Sequence, residues 1–400
     1  MRIALITDTF PPLRTSGAVQ IRDLTREFVR QGHSLCVLLP SSNQKEAWKL
    51  EEFDGAQVMR LRAPQIKDIG YVRRTLAEFV MPFAMLRNLR KSPLARELWG
   101  GVVWYAPSIF HGPLVSMLKE SSSCKSYLII RDIFPEWAVD MGLMRRGFIY
   151  RFFDAVAQYQ YSVADVIGIQ TNGNRRYFDS WLKQPKRNLE VLQNWLDKPT
   201  LKRCSIRIDQ TALAGLKVFV YAGNMGIAQG MNIFLDLAEK LRYRTDIGFL
   251  LVGRGSETSR LKAEAQSRKL DKMIFFDEID PDEIPDLYAQ CNVGIVSLDP
   301  KHKSHNIPGK FLSYMQSGLP VLASINAGND LAQMIRDERV GKVCETNQVD
   351  ELLKLTENLL DEIKTDLHLS SRCVALFERK FAVKKTVKQI VAALSTTEIV

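Results

Sequence analysis

Lys310 is the one formal charge in "HNIPGKFLSYMQSGLPVLAS", the stretch from His305 to Ser324. It falls where Pro308 and Gly309 open a short helix that Gly318 closes. A helix start attracts anions because its first N–H groups are unpaired and the macrodipole is positive there. Phe311, Leu312 and Met315 make the buried face, so packing has no need of Lys310, and a phosphate contact is its better reading. Two other strand ends carry related features. "VFVYAGNMGIAQG" runs from a strand into Gly223-Asn224-Met225-Gly226, where glycines let the backbone approach a ligand and turn N–H groups toward an anion. A tight turn with no ligand fits the same residues. "FLLVGRGSETSRLK" sets Arg254 between two glycines at a strand's carboxyl end, suited to a phosphate or to a solvated turn. Together the three seats suggest a nucleoside diphosphate lying across the second half of the chain. No GxGxxG follows the first strand and no GxxxxGK[ST] occurs, which argues against a dehydrogenase and a P-loop enzyme.

The first half offers a different set. "TDTFPPLRTSGAVQIRDL" brings a proline-rich loop to Ser16-Gly17 at a helix start, which suits an anion, a sugar hydroxyl or simply a cap. "LIIRDIFPEWAVDMG" ends a strand with Arg131-Asp132 and sets Glu136 four residues on. These groups could orient a hydroxyl or balance a charge; a local Arg–Asp ion pair is the competing reading. Residues 71–100 hold six basic and two acidic side chains among Phe, Met, Leu and Trp. That is the composition of a membrane-surface helix, and equally of a core helix with a basic solvent face.

The elements that must position these residues alternate from end to end. "RIALITD", "HSLCVLLP", "GVVWYAP", "SYLIIRD" and "ADVIGIQT" read as strands, with helical segments between them. A polar, irregular stretch over 195–215 reads as a linker, and the alternation then restarts: "KVFVYAG", a helix over 230–242, "IGFLLVG", a helix over 256–269, "MIFFDEI", a helix over 282–290, "VGIVSL", the 309–317 helix and "PVLAS". This is the pattern of parallel sheets with helical crossovers. The expected architecture is therefore α/β, with two doubly wound domains, 1–200 and 201–375, facing a cleft at the carboxyl ends of their strands. A last helix, about 376–400, is expected to pack back on the first domain.

Composition sets the outer limits. With 46% hydrophobic and 25% charged residues, this is an ordinary globular chain. The net charge of +10 is lopsided: residues 1–200 hold 28 basic and 19 acidic side chains, residues 201–400 hold 27 and 26. The basic excess points to an anionic surface or substrate on the first half, or to a soluble basic face. No nucleic-acid partner is indicated. No run of about 18 apolar residues exists. "MRIALITDTF" turns acidic too early for a signal peptide. The six scattered cysteines form no CxxC pair, so neither a metal nor a disulfide framework is expected, and a reducing cytoplasm is the simplest compartment.

These motifs together resemble the retaining GT-B glycosyltransferases of glycosyltransferase family 4, over nearly the whole chain. "VLQNWLDKPT" resembles the family's "PNGVD" segment, "MIFFDEIDPDEIPDLYAQCNVGIVSL" its "FLGxVxxxELPxLYxxADVxVxPS" stretch, and "YMQSGLPVLAS" its "EAMAxGxPVVA". "RDIFPEW" and "HNIPGKFLSYMQSGLPVLA" are most similar to bacterial polysaccharide transferases of the O-antigen and capsule type, nearest to N-acetyl-L-fucosamine transferases. The resemblance implies two Rossmann-like domains. It implies hexosyl transfer from a UDP-sugar co-substrate, with retention of anomeric configuration and without a metal or other cofactor. It further implies a polyprenyl-diphosphate-linked glycan as acceptor and a cytoplasmic enzyme peripheral on the inner membrane face, docked through the 71–100 patch. Donor contacts are implied at Gly17, Gly223, Asn224, Met225, Gly226, Arg254, Ile279, Ile307, Pro308, Gly309, Lys310 and Ser313. Ser16, Arg131, Asp132 and Glu136 would line the acceptor side, and His305, Lys310, Arg254 and Asp132 are the candidate catalytic groups. The chain departs from the family pattern at several positions. His305 and Ser313 stand where the family carries two glutamates, Asn224 and Gln229 replace its basic pair, and Arg131 matches its first-domain histidine. Lys310 and Arg254 are the natural replacements for the missing diphosphate charges. Two rivals share the fold: a nucleotide-sugar 2-epimerase, which needs cleft carboxylates for proton transfer, and a non-catalytic sugar-nucleotide-binding subunit.

Overall fold

Short buried apolar runs separated by amphipathic helices produce two α/β units in the computed structural model. It describes residues 1–395 except 14, 68, 185, 186, 200, 201, 302, 304 and 306. Thr200 and Leu201 of the expected linker, and 396–400 of the expected last helix, lie outside the described residues. Contacts divide the chain at Gln193–Asn194 and again at Ala382–Val383.

The first unit is built on β1 (Arg2–Ile6), β2 (Ser34–Ser41), β3 (Trp48–Phe53), β4 (Ala56–Arg62), β5 (Gly101–Ala106), β6 (Lys125–Ile130), β7 (Val166–Ile169) and β8 (Asn188–Val191). Between them run α1 (Ser16–Arg30), α2 (Tyr71–Leu89), α3 (Gly112–Ser122), α4 (Glu136–Asp140), α5 (Phe148–Val163) and α6 (Asp179–Leu182). The sheet order is β3-β4-β2-β1-β5-β6-β7-β8, parallel except for the β3–β4 hairpin. Every residue of β5 is buried, as expected of a strand covered on both faces. The hairpin turns at Asp54 and Gly55, both at positive φ (48° and 82°), the backbone that an Asp-Gly turn favours.

The second unit carries β9 (Lys217–Ala222), β10 (Ile247–Val252), β11 (Met273–Phe276), β12 (Val293–Ser297), β13 (Val321–Ser324) and β14 (Gly341–Cys344), all parallel in the order β11-β10-β9-β12-β13-β14. Its helices are α7 (Asn232–Lys240), α8 (Thr258–Ser267), α9 (Ile284–Ala289), α10 (Gly309–Gln316), α11 (Asp330–Asp337), α12 (Val349–Thr365) and α13 (Leu369–Lys380). The helix expected over 282–290 is split: Pro281–Glu283 forms a 3₁₀ turn capped by Asp280, and α9 follows. The chain then returns to the first unit as α14 (Val383–Ser395). In each sheet the order reverses beside the first strand, at β1 with β2 and β5 on either side, and at β9 with β10 and β12. Parallel α/β sheets take ligands outside the carboxyl ends of strands at such points.

Candidate functional site

In the second unit the strand ends at the reversal are locked by glycine. Gly223 follows β9 and Gly253 follows β10, with φ of 143° and 142°. A Cβ on Gly253 would lie 2.0 Å from the Gly223 carbonyl oxygen, and one on Gly255 (φ 157°) 2.2 Å from that of Met225. Only glycine permits this crossing of two loops. The Met225 N–H donates to the Arg254 carbonyl (2.8 Å), and the Glu257 N–H donates back to the Met225 carbonyl (3.0 Å). Gln229 Oε1 accepts from the Gly226 N–H (2.9 Å) and from Asn224 Nδ2 (3.2 Å), so these two polar substitutions brace the loop.

Lys310 sits on the second residue of α10, behind the N-cap Pro308, which offers no side-chain cap. A Cβ on Gly223 would meet Lys310 Cε at 3.5 Å and Nζ at 3.8 Å. The ammonium lies over the Tyr221 ring, 4.5 Å from its centroid, while the Tyr221 hydroxyl donates to the Asn224 carbonyl (2.5 Å). Among the described residues no carboxylate pairs with Lys310. Burial alone pushes its pKa down to about 8. A cation held against a ring face, a glycine and an open helix start is thus desolvated with no carboxylate among the described residues to balance its charge.

The other predicted residues of this unit divide. Arg254 is exposed, and its Nε donates to Glu278 Oε2 at 2.9 Å. His305 Nδ1 lies 3.0 Å from Asp330 Oδ1, at the first turn of α11. The Ser313 hydroxyl donates to the Gly309 carbonyl (3.3 Å). Ile307 is buried, and its carbonyl accepts from Asn194 Nδ2 (2.7 Å). Ile279 packs, half-buried, against the core after β11.

In the first unit, Thr15 caps α1 by accepting from the Ala18 N–H (3.3 Å), and Ser16 is exposed. A Cβ on Gly17 would lie 3.4 Å from the Tyr105 hydroxyl. Arg131, at the carboxyl end of β6, turns inward. It is 5% exposed, donates from NH1 to the Leu192 carbonyl (3.0 Å) and bonds the Tyr105 hydroxyl; burial pulls its pKa down to about 10. Asp132 beside it is exposed. Glu136 opens α4 and accepts from the Tyr150 hydroxyl (2.5 Å) and Arg146 NH2 (2.8 Å).

A polar cluster that the motifs did not single out lies at the carboxyl ends of β1 and β5. His111, the N-cap of α3, is fully buried, and neither ring nitrogen has a partner among the described residues. Burial lowers its pKa, opposed by the charge of Asp8, whose Oδ1 is also buried without a partner. Glu78 on α2 is held above the usual carboxylate range by burial, with Asp8 adding to the effect and Arg74 opposing it. The signals available were an acid two residues beyond the first strand and a histidine before a Gly-Pro helix start.

Comparison with known proteins adds relationship to geometry. Residues 216–362 match the family described as Glycosyl transferases group 1. The chain is 25% identical over 260 residues to the glycosyltransferase WbjE of Pseudomonas aeruginosa, covering 64% of this chain and 63% of that one. It is 22% identical over 369 residues to the colanic acid biosynthesis glycosyl transferase WcaI of Escherichia coli (strain K12), covering 84% and 86%. Sucrose-phosphate synthase of Thermosynechococcus elongatus superposes with a TM-score of 0.75 at 14% identity, covering 98% of this chain and 97% of that one. HepE of Anabaena, solved with UDP-glucose, gives 0.71 at 14% identity, covering 99% and 100%. The fold is GT-B, and the match of residues 216–362 to the group 1 family falls on the second unit.

Proposed function

We propose that this chain, a GT-B glycosyltransferase of the bacterial polysaccharide type, moves a sugar from a UDP-linked donor onto a polyprenyl-diphosphate-linked glycan, with retention of configuration. N-acetyl-L-fucosamine is the sugar the sequence resemblance favours. The observation that carries the reading is the Lys310 ammonium at the open start of α10, beside Gly223 and paired with no carboxylate among the described residues. As the anomeric C–O bond breaks, charge gathers on the leaving diphosphate. A preformed cation and free N–H groups oppose it without reorganising, which lowers the barrier. The acceptor hydroxyl attacks from the face the diphosphate leaves, and its proton passes to a phosphate oxygen. Arg254 is exposed in its ion pair with Glu278, so releasing it to a phosphate costs about 1 kcal/mol or less. Ser313 is assigned to the ribose side and His305, oriented by Asp330, to the sugar.

Membrane attachment rests on α2 and α5. Tyr71, Val72 and Leu76 are 89%, 78% and 64% exposed, and Phe148 is 90% exposed. Phe79 and Phe152, with centroids 6.4 Å apart, join the two helices into one apolar surface flanked by Arg73, Arg87, Arg145 and Arg151. That combination suits an anionic leaflet. No helix among the described residues is long and apolar enough to cross a membrane.

The deciding experiment incubates the protein with a panel of UDP-sugars, led by UDP-N-acetyl-L-fucosamine and UDP-N-acetylglucosamine, and lipid-linked acceptor extracted from membranes. Mass spectrometry reads the lipid. A mass gain with one donor establishes transfer and identifies the sugar. Isomerised donor without lipid product overturns the reading in favour of a 2-epimerase, and UDP binding without either product in favour of a non-catalytic subunit.

A further inference from the structure

The first unit has an open hollow of about 680 Å³ that none of the predicted catalytic, donor or acceptor-side residues touches, though its α2 wall belongs to the 71–100 patch. It lies where the parallel strands β2 and β4 end, between the loops that follow them and one face of α2. Asn43, Arg62 and Gln65 come from the strand ends; Val80, Phe83 and Arg87 come from α2. The spacing on α2 is helical: residues 80, 83, 84 and 87 form one stripe, apolar until its last member is a guanidinium. Among the described residues no acidic side chain lines the hollow. Among the described residues the Arg62 guanidinium donates only to the Lys45 carbonyl (2.7 Å), a neutral partner, and the Arg87 guanidinium meets no acid or acceptor. Toward the N-terminus the stripe continues into Leu76, then Val72 and Tyr71, all strongly exposed.

Two arginines at one end of a hollow and a bare apolar stripe at the other match an amphiphile with an anionic head. We propose that this hollow holds the phosphate or diphosphate head of a prenyl-type lipid, with Arg62 and Arg87 clasping the anion and the hydrocarbon lying along Phe83, Val80 and Leu76. Arginine's planar fork suits phosphate oxygens, and the carboxyl edge of a parallel sheet is where such folds take ligands. From Val72 to Phe83 the stripe rises about 16 Å, enough to carry the first several isoprene units toward a bilayer. The inference deepens the proposed reading by giving the lipid-linked acceptor a specific seat, and it rests on that reading.

The test uses the full chain and farnesyl diphosphate as probe. Isothermal titration with the wild type is compared with Arg62→Ala/Arg87→Ala and with Phe83→Ser; UDP affinity and the melting temperature serve as folding controls. Losing two charged contacts is expected to weaken farnesyl diphosphate at least tenfold and to raise the acceptor KM similarly, with UDP affinity held. Phe83→Ser is expected to weaken farnesyl diphosphate but not inorganic diphosphate. Equal binding of farnesyl diphosphate by wild type and double variant overturns the proposal. So does binding that follows only the anionic lipid content of phosphatidylglycerol vesicles, which would make the hollow part of a general membrane contact. So does an inorganic diphosphate affinity equal to that of the prenyl compound, which would make it a site for free anions. Wild type that binds farnesyl diphosphate through these arginines yet transfers no sugar would instead sink the transferase reading and leave the hollow standing.

Discussion

At the scale of single residues, half-buried Lys310 and fully buried His111 are opposite cases of a desolvated base. Lys310 is desolvated, and its pKa near 8 lies below the lysine value of 10.5. A pKa depressed in the folded state means the unfolded chain binds the proton more tightly, so the group costs stability at neutral pH, and the cost fades as pH rises from about 8 toward 10.5. Lys310→Met is therefore expected to raise the melting temperature of the free protein. The same variant should weaken UDP binding at pH 7 by about tenfold or more, the worth of a charged contact. In the wild type, calorimetric UDP affinity should fall as pH passes above about 8, whereas Lys310→Arg should hold it flat because arginine keeps its proton. A lower melting temperature in Lys310→Met would mean that the lysine is structural. This residue was legible because one charge in an apolar stretch has no packing role. His111 was not legible, because nothing local says that its ring is enclosed. Burial holds its pKa below 6.5, so stability is expected to drop as pH falls beneath that value, when the unfolded chain takes up a proton that the folded chain resists. With neither ring nitrogen partnered, His111→Phe should keep the melting temperature at pH 7.5 and flatten the loss between pH 6.5 and 5. Unfolding of His111→Phe at pH 7.5 would instead show that the imidazole serves a bound partner.

At the scale of elements, the crossing of the β9 and β10 loops is what gives Lys310 a place to sit. Gly253→Ala forces a Cβ to within 2.0 Å of a carbonyl oxygen at a φ of 142°. Backbone strain alone costs about 1–3 kcal/mol, and the overlap adds to it. The variant should show a lowered melting temperature in the second unit and lose UDP binding. Gly215→Ala, at φ 76° with nothing within 4 Å, carries only the strain and should cost about 1 kcal/mol with UDP binding kept. Equal effects of the two substitutions would remove the crossing from the account. Long buried strands such as "RIALI" and "IGFLLV" announced themselves, and so did the glycines that end them. The strands β3, β4, β8 and β14 did not. β3 mixes exposed and half-buried residues at the sheet edge, and β8 and β14 carry a charged residue, Glu190 or Lys342, inside four-residue strands, so no apolar run marks them. The course of the Arg131 side chain was illegible for a related reason. Its place at a strand's carboxyl end is a matter of sequence, but its inward course depends on the Leu192 carbonyl and the Tyr105 hydroxyl, which other strands supply.

At the scale of the whole chain, the last helix decides whether the first unit is complete. α14 is separated from Gln193 by the entire second unit, yet it packs on the first. Gln389 Nε2 donates to the Val191 carbonyl (3.0 Å), and Nε2 of Gln31, just past the end of α1, donates to the Lys384 carbonyl (3.1 Å). Val387, Ile390 and Leu394 are buried, and a Cβ on Gly101 would lie 2.7 Å from Leu394 Cδ1, so the start of β5 is shaped to receive that side chain. A glycine opening a central strand has its reason in a residue almost three hundred positions away, which no local pattern could supply. Burying three aliphatic side chains is worth roughly 5–9 kcal/mol as an upper figure. That compares with the 5–15 kcal/mol that separates a typical domain from its unfolded state. A chain ending at Ala382 is therefore expected to lose the first unit's thermal transition, or to aggregate, while the second unit still binds UDP. Adding residues 383–395 as a separate peptide should restore the lost transition, because the helix brings a complementary apolar face and no covalent constraint. Calorimetry of the two chains, with UDP present and absent, separates the outcomes. A truncated protein with both transitions intact would show that α14 only covers a unit already stable without it. Loss of UDP binding as well would show that the second unit depends on a folded first one.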